Sequence, residues 1–311
     1  MSTDTRLRHL LTLDGLGGER IGTLLDAAQR LRPQALGGNA LRHVLAGRTV
    51  CNLFFENSTR TRSSFQLAAQ RLGADVLNFD IGASSVNKGE SPLDTLRTLE
   101  AMGVDAFVVR HAENGAVAAL AAGARATTSV LNAGDGRAAH PTQGLLDMLT
   151  IRQHKGADFS TLSVLIVGDV RHSRVARSDL HALRALGCRD IRVCAPTSLL
   201  PEPATVAGCS VGSQLDPMLE GVDVVMMLRL QRERMDEGLV PSLEQYFRDY
   251  GLDAKRLAKA RPDAIVMHPG PMNRGVEISG DVADGPQAVI LAQVANGVAV
   301  RMAVLEHLLG G

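Results

Sequence analysis

Short apolar runs alternate with amphipathic stretches along most of the chain. The run RTVCNLFF at 48–55 is typical of a buried strand, and residues 58–72 follow it with the periodicity of a helix. The same alternation predicts further strands at 75–79, 105–110 and 129–133, and further helices at 92–102, 115–122 and 141–154. Strands and helices in alternation predict a parallel sheet with helices on both faces.

The alternation begins again in the second half, with a predicted strand at 162–168 and a helix at 174–186. More strands are predicted at 191–195, 222–228 and 264–267, and more helices at 242–250 and 253–261. We therefore expect an α/β protein with two doubly wound parallel-sheet domains of similar size, one at 1–150 and the other at 151–285. An N-terminal helix at 18–31 and a C-terminal helix at 286–309 are expected to link them, and the C-terminal helix to pack back onto the first domain.

The composition narrows the classes of function. Basic and acidic residues number 33 each, so the chain lacks the positive charge that binders of nucleic acids and anionic membranes carry. It contains no run of about 18 apolar residues that would span a bilayer, and residues 1–16 lack the apolar core of a signal peptide. The four cysteines show no CxxC spacing, so we expect no zinc site, no disulfide framework and a cytoplasmic location.

A candidate anion site follows the first strand, where the sequence reads ENSTRTR at 56–62. The hydroxyls and guanidinium groups of this segment coincide with the unsatisfied N–H groups of a helix N-terminus, which favours phosphate. The segment is not a Walker loop, because GxxxxGK[ST] is absent. The alternative interpretation is that Ser58 simply caps the helix and the arginines are solvated.

Four other polar segments lie at the ends of predicted strands or at the start of a helix. A histidine before proline is often only structural, and an arginine at a strand end is often solvated. Ligands of open parallel sheets, however, bind beyond the carboxyl ends of the strands, so the shared position of these segments indicates a ligand site. The segments are Val109–His111, His140–Gln143, Arg229–Gln231 and His268–Pro271.

With these motifs the whole chain resembles the aspartate/ornithine carbamoyltransferase family. The resemblance is carried by STRTR at 58–62, HPTQ at 140–143 and HPGP at 268–271, which occur in that order. It implies an enzyme that uses carbamoyl phosphate, needs no cofactor or metal, and serves pyrimidine biosynthesis if its acceptor is aspartate.

The resemblance also implies roles for individual residues at the carbamoyl phosphate site. The phosphate would be held by four consecutive residues: Ser58, Thr59, Arg60 and Thr61. Thr61, Arg110 and His140 would donate to the carbonyl oxygen as negative charge develops on it, which is an oxyanion-hole role. Gln143 and the backbone carbonyls near Gly270 and Pro271 would accept from the carbamoyl NH2 group.

The loop SSVNKGES at 84–91 matches the family's loop that reaches into the site of a neighbouring subunit. The resemblance therefore implies that Ser84 and Lys88 are contributed by a neighbour and that the working unit is a homotrimer with shared active sites. The alternative is that Lys88 is an ordinary solvated lysine.

The second half of the chain decides the acceptor. The resemblance assigns L-aspartate binding to Arg174, Arg229 and Gln231, with Lys88 as a further cation, because a dicarboxylate needs cations placed apart. Arg171 and Arg177 are alternatives to Arg174. Ornithine carbamoyltransferases hold a cationic side chain and usually present His-Cys-Leu-Pro at the last motif, where this chain has His-Pro-Gly-Pro. We therefore expect aspartate to be the acceptor.

Two further expectations concern partners and motion. The segment HPGPMNRGVEI at 268–278 resembles the bacterial subtype that associates with dihydroorotase or a dihydroorotase-like chain. The polar stretch at 231–241 has the composition of a loop that closes over substrates, and an ordinary surface loop is the alternative.

Three other functions compete with this interpretation. The first is transfer to ornithine or another amino acid, and the second is an inactive scaffold, against which the intact motifs argue. The third is a dinucleotide-binding domain built on LSVLIVGDVRHSR at 162–174. It is disfavoured because no glycine follows Gly168 until Gly187, so that GxGxxG is absent.

Overall fold

The computed structural model describes residues 7–79, 90–231 and 242–310, which divide into two compact units. Unit 1 comprises Met1–Leu146 and Ala295–Gly311, and unit 2 comprises Asp147–Val294. The chain therefore passes between the units inside two helices, one at Pro141–Lys155 and the other at Ile290–Leu309. The N-terminal helix lies wholly within unit 1.

Unit 1 is built on a sheet of four parallel strands in the order β2-β1-β3-β4. The strands β1, β3 and β4 are buried along most of their length, whereas the edge strand β2 is largely exposed. The strands are β1 (Thr49–Phe54), β2 (Asp75–Phe79), β3 (Ala106–His111) and β4 (Ser129–Asp135). Helices of this unit are α1 (Gly18–Leu36), α2 (Thr59–Leu72), α3 (Pro92–Ala101), α4 (Ala116–Gly123) and the start of α5 (Pro141–Lys155).

Apolar residues at helical and strand spacing form the core on one face of this sheet. Leu53, Phe107 and Val109 from the strands pack with Leu96 of α3 and Val117 of α4. All five side chains are buried, and burial of each contributes roughly 1.5–3 kcal/mol. This packing fixes the carboxyl ends of β1 and β3 beside one another.

Unit 2 carries a second parallel sheet, of five strands in the order β7-β6-β5-β8-β9. The strands are β5 (Ser163–Val167), β6 (Asp190–Cys194), β7 (Ser210–Gly212), β8 (Val224–Met227) and β9 (Ile265–Met267). Helices are α6 (Arg174–Ala185), α7 (Leu215–Met218), α8 (Leu243–Tyr250), α9 (Ala254–Leu257), α10 (Gly280–Ala283) and α11 (Ile290–Leu309), which ends in unit 1.

The fold confirms the prediction of two α/β units with parallel sheets, and it differs from the sequence prediction in detail. Helix α1 continues past Pro33 to Leu36 rather than ending near residue 31. Helix α9 ends at Leu257, four residues earlier than predicted, because the following turns lead the N–H of Arg261 to the carbonyl of Val222. Strand β7 was not predicted, since its three residues are mostly exposed and form no apolar run.

Two further properties concern the helices and the cysteines. None of the helices in the described part of the chain is long and apolar enough to cross a membrane. All four cysteines are free thiols, three of them buried.

Candidate functional site

Each sheet has one place where the chain reverses its direction of winding. In unit 1 this point lies between the neighbouring strands β1 and β3, and in unit 2 between β5 and β8. Ligands of doubly wound sheets bind beyond the carboxyl ends of the strands at such points. The candidate residues lie at or beyond the carboxyl ends of these and the adjacent strands β4 and β9, so we describe them as a first half-site in unit 1 and a second half-site in unit 2.

The first half-site begins at the N-terminus of α2, directly after β1. Ser58 occupies the cap position, but its hydroxyl makes no capping hydrogen bond and donates instead to the Thr61 hydroxyl at 3.0 Å. Thr61 is buried, whereas Thr59 and Arg60 are exposed. Because the Ser58 hydroxyl makes no capping hydrogen bond, the first turn of α2 retains its attraction for anions.

Arg110 reaches the same half-site from the end of β3. Its backbone pairs with Phe54 of β1, and its guanidinium Nη1 donates to the carbonyl of Ala133 at 3.2 Å. Nη2 lies 3.3 Å from the Glu56 carboxylate, and the Arg110 side chain is only 11% exposed. The guanidinium is therefore held in place by neighbours on β4 and after β1.

His140 and Gln143 belong to the start of α5. Both side chains are buried, and Pro141 occupies the first position of the helix, where a missing N–H costs nothing. The N–H groups of Gln143 and Gly144 both donate to the carbonyl of His140. This turn fixes the backbone of His140, which lies between the end of β4 and the start of α5.

In the second half-site, Arg174 is the first residue of α6 and is buried. The preceding Ser173 caps the helix, since its hydroxyl accepts from the N–H of Ala176 at 3.1 Å. The two alternative arginines have structural contacts of their own. Arg177 donates to the carbonyls of Arg171 and Ser173, and the exposed Arg171 donates to that of Ser198.

Arg229 and Gln231 follow β8, and a buried acid–histidine pair holds the segment. The N–H of Gln231 donates to Asp169 Oδ2 at 3.3 Å, and its side-chain amide donates to the carbonyl of His172 at 3.2 Å. His172 Nδ1 lies 2.7 Å from the other oxygen of Asp169. Burial raises the pKa of Asp169, and the neighbouring His172 opposes that shift.

Gly270 and Pro271 lie in the turn after β9, joined by a cis peptide bond. The N–H of Gly270 donates to His268 Nδ1 at 2.9 Å, so His268 carries its neutral-state proton on Nε2. The N–H of His268 donates to Gln293. Glu277, ten residues along the chain from β9, is completely buried beneath this turn, with its carboxylate 3.9 Å from His268 Nε2.

The predicted site residues Ser58, Thr59, Arg60, Thr61, Arg110, His140 and Gln143 thus lie in unit 1, and Arg174, Arg229, Gln231, Gly270 and Pro271 lie in unit 2. Ser84, Lys88 and most of the predicted closing loop lie outside the described residues. The sequence did not identify Asp169, His172 or Glu277. Asp169 carried a weak signal, because it follows a buried strand directly, and Glu277 carried none.

The described residues contain no group of three or more His, Cys, Asp and Glu side chains arranged to hold a metal ion. The chemistry that the two half-sites offer comes from guanidinium groups, hydroxyls, imidazole and backbone amides. Such donors bind anions and stabilise developing negative charge.

Comparisons with known families agree with the division into two units. The family model described as "Aspartate/ornithine carbamoyltransferase, carbamoyl-P binding domain" matches residues 8–153. The model described as "Aspartate/ornithine carbamoyltransferase, Asp/Orn binding domain" matches residues 160–308.

Individual relatives cover nearly the whole chain. The aspartate carbamoyltransferase catalytic subunit of Stenotrophomonas maltophilia (strain R551-3) is 69% identical over 307 residues, which is 98% of this chain and 97% of the relative. The crystal structure of aspartate transcarbamoylase from Trypanosoma cruzi with carbamoyl aspartate and phosphate matches at a TM-score of 0.87 and 32% identity, covering 97% and 96% of the two chains. Ornithine carbamoyltransferase from Thermus thermophilus matches at 0.85 and 26%, covering 98% and 100%. The fold alone does not separate the two acceptors.

Proposed function

The chain belongs to the aspartate/ornithine carbamoyltransferase family, and from that premise we propose that it transfers the carbamoyl group of carbamoyl phosphate to the amino group of L-aspartate. The products are N-carbamoyl-L-aspartate and phosphate, in an early step of pyrimidine biosynthesis. The observation that carries the proposal is the 69% identity, over 98% of the chain, to a protein named as an aspartate carbamoyltransferase catalytic subunit.

Carbamoyl phosphate is proposed to bind with its phosphate at the N-terminus of α2, contacting Ser58, Thr59, Arg60 and Thr61. The helix dipole and the first-turn N–H groups favour an anion there, and the hydroxyl of Ser58 is not used as a helix cap. Gln143 and the backbone carbonyls of Gly270 and Pro271 are proposed to accept from the carbamoyl NH2 group.

The proposed reaction is a direct displacement at the carbamoyl carbon. The neutral amine of aspartate attacks, a C–N bond forms, and the carbonyl oxygen becomes an oxyanion held by Thr61, Arg110 and His140. The C–O bond to phosphate then breaks, and the departing phosphate accepts the proton that the amine loses. The protein supplies orientation and charge neutralisation, and no side-chain base is required.

Aspartate is proposed to bind through Arg174, Arg229 and Gln231, with Lys88 as an additional cation. Arg174 begins a helix and Arg229 follows the central strand β8, so two cations at fixed positions are available for two carboxylates. Arg171 and Arg177 are the alternatives to Arg174. An ornithine site would instead need an anionic partner for the side-chain ammonium group.

Replacing each arginine tests the aspartate site. Arg229→Gln and Arg174→Gln are expected to raise the KM for aspartate by about 10- to 100-fold, because each removes a charge-assisted hydrogen bond to a carboxylate. The KM for carbamoyl phosphate is expected to stay within about twofold. Arg177→Gln is the matched control, and a larger effect of this control than of Arg174→Gln would reassign the site.

A homotrimer with shared active sites is also proposed, with Ser84 and Lys88 contributed by a neighbour. Mixing a Lys88→Ala chain with an Arg110→Met chain, each inactive alone, is expected to restore activity, because some sites then receive both intact residues. Activity that stays at zero in demonstrably mixed trimers would remove the shared site. We also propose a cytoplasmic location and association with dihydroorotase or a dihydroorotase-like chain. Co-sedimentation with purified dihydroorotase tests the partner.

A further inference from the structure

Glu277 connects the segment after β8 with the turn after β9. The N–H of Leu230 donates to Glu277 Oε1 at 2.9 Å, and the side-chain amide of Asn273 donates to the same oxygen at 2.8 Å. The N–H of Asn273 donates to Oε2 at 2.7 Å. The carboxylate is completely buried, so one side chain holds two segments that are 43 residues apart at Leu230 and Asn273.

Burial alone would disfavour the charged form of Glu277, which these donors stabilise. Burial raises the pKa of Glu277, and the hydrogen bonds from Leu230 and Asn273 oppose that shift. A carboxylate accepts at both oxygens, so it satisfies all three N–H groups together. The main chain of Glu277 is fixed as well, because its carbonyl accepts from the N–H of Leu252 at 2.9 Å.

The segment held by Glu277 carries two of the proposed aspartate ligands. Strand pairing of β8 ends with the N–H of Leu228, which donates to the carbonyl of Val167. The N–H groups of Leu230 and Gln231 then donate to Glu277 and Asp169, respectively. Arg229 therefore projects from a backbone whose next two N–H groups are bound by buried carboxylates from different parts of unit 2.

We propose that Glu277 is a positioning residue for aspartate binding, which sets the direction of Arg229 and ties it to the turn at Gly270 and Pro271. Glu277 acts through Leu230 and Asn273 and does not touch the substrate. The inference rests on the proposed function, because it assumes that Arg229 binds aspartate.

Glu277→Gln tests the inference. The amide keeps the shape of the side chain but replaces one acceptor oxygen with a donor, so Asn273 loses at least one of its two hydrogen bonds. Leu230 loses its bond as well when the NH2 group takes the position of Oε1. The expected result is a rise of about 10- to 100-fold in the KM for aspartate, with the KM for carbamoyl phosphate changed less than about twofold. Glu277→Asp retains a carboxylate and is expected to recover part of the loss.

Asp223→Asn is the matched control for stability. Asp223 is buried at the amino end of the same strand, β8, and accepts from the N–H of Ser163 at 2.9 Å. Its loss is expected to lower the Tm without raising the KM for aspartate. A Glu277→Gln enzyme that loses Tm but keeps the wild-type KM for aspartate would overturn the inference, because Glu277 would then be purely structural.

Asn273→Ala decides the matter if Glu277→Gln does not fold. This variant removes one donor and leaves the carboxylate bonded to Leu230, so a rise of about 3- to 10-fold in the KM for aspartate is expected. An unchanged KM would overturn the inference. Wild-type activity with aspartate is measured first, and its absence would refute the proposed function rather than the role of Glu277.

Discussion

Arg110 and Glu56 form an ion pair in which Nη2 lies 3.3 Å from Oε1. Arg110 lies near the carboxyl end of β3, and Glu56 follows the carboxyl end of the neighbouring strand β1. A second pair, Arg48 and Asp105, joins the amino ends of the same strands, with 2.8 Å between Nη1 and Oδ1. Ligands of parallel sheets bind at the carboxyl ends of the strands, where the first pair lies, and not at the amino ends, where the second pair lies. We therefore expect the first pair to affect catalysis and the second to affect only stability.

Arg110→Met is expected to reduce kcat by about 100- to 1,000-fold, because it removes a donor to the developing oxyanion. Steady-state kinetics with both substrates measure the effect. Arg48→Met removes the other ion pair and is expected to leave kcat within about twofold, since the half-exposed pair at the amino ends contributes little. Equal losses in the two variants would show that Arg110 acts through stability.

His140→Ala is expected to lower kcat more than it weakens phosphate binding. The imidazole would donate to the carbonyl oxygen in the transition state, so its loss removes an interaction that the ground state lacks. The comparison is between kcat and the inhibition constant of phosphate as a product. His111→Ala is the control, because His111 Nδ1 accepts from the N–H of Glu113 in a turn. Parallel loss of turnover and phosphate affinity would refute the oxyanion role.

Asp179→Asn is expected to change how stability depends on pH. Asp179 of α6 and Asp147 of α5 are both fully buried, and Gln293 donates to Asp147 at 2.6 Å. Neither oxygen of Asp179 accepts from a donor group within the described residues, and burial together with the Asp147 carboxyl raises its pKa well above 3.8. The raised pKa favours the protonated form of Asp179 beside the Asp147 carboxyl.

The direction of the effect follows from the raised pKa. Stability from protonated Asp179 is complete below the ordinary pKa of 3.8 and is lost as the pH rises through the folded-state value. Asparagine does not titrate, so the variant lacks this pH dependence. As the pH rises, the unfolding free energy of the wild type minus that of Asp179→Asn is expected to fall by up to about 1.4 kcal/mol per pH unit. Urea unfolding at a series of pH values from about 4 upwards measures this. A constant difference over the whole series would contradict the raised pKa of Asp179.

Gly168→Ala is expected to destabilise unit 2 by about 2–4 kcal/mol. Gly168 has φ +121°, and a Cβ there would lie 3.0 Å from both the carbonyl of Leu228 and the hydroxyl of Tyr246. Gly187→Ala is the control, because its φ is also positive but a Cβ would meet nothing within 4 Å. Thermal unfolding of both variants separates steric crowding from backbone strain, and equal losses would exclude crowding as the cause.

The sequence predicted strands and the residues that follow them, because a buried parallel strand is a continuous apolar run with polar residues at its end. This located Arg110 at the end of β3 and Arg229 after β8. The short edge strand β7 produced no such run. The N-terminal helix predicted at 18–31 continues to Leu36 and buries Ala35.

The contacts that support the half-sites could not be predicted from the sequence. Glu277 lies in a polar segment that has the composition of a surface loop, and its contact with Leu230 spans 47 residues. Asp179 is one charge among several on α6, and only the fold shows that it faces Asp147 with both residues buried. No local pattern encodes such pairs, because they depend on how separate elements pack.

An acceptor assay distinguishes aspartate from ornithine as the second substrate. The purified chain is mixed with carbamoyl phosphate and either L-aspartate or L-ornithine, and formation of the ureido product is measured. Product is expected with aspartate only, at a rate that Arg229→Gln lowers at subsaturating aspartate. Product with ornithine only would contradict this expectation, because the first half-site would be retained while Arg174 and Arg229 would have been assigned to the wrong substrate.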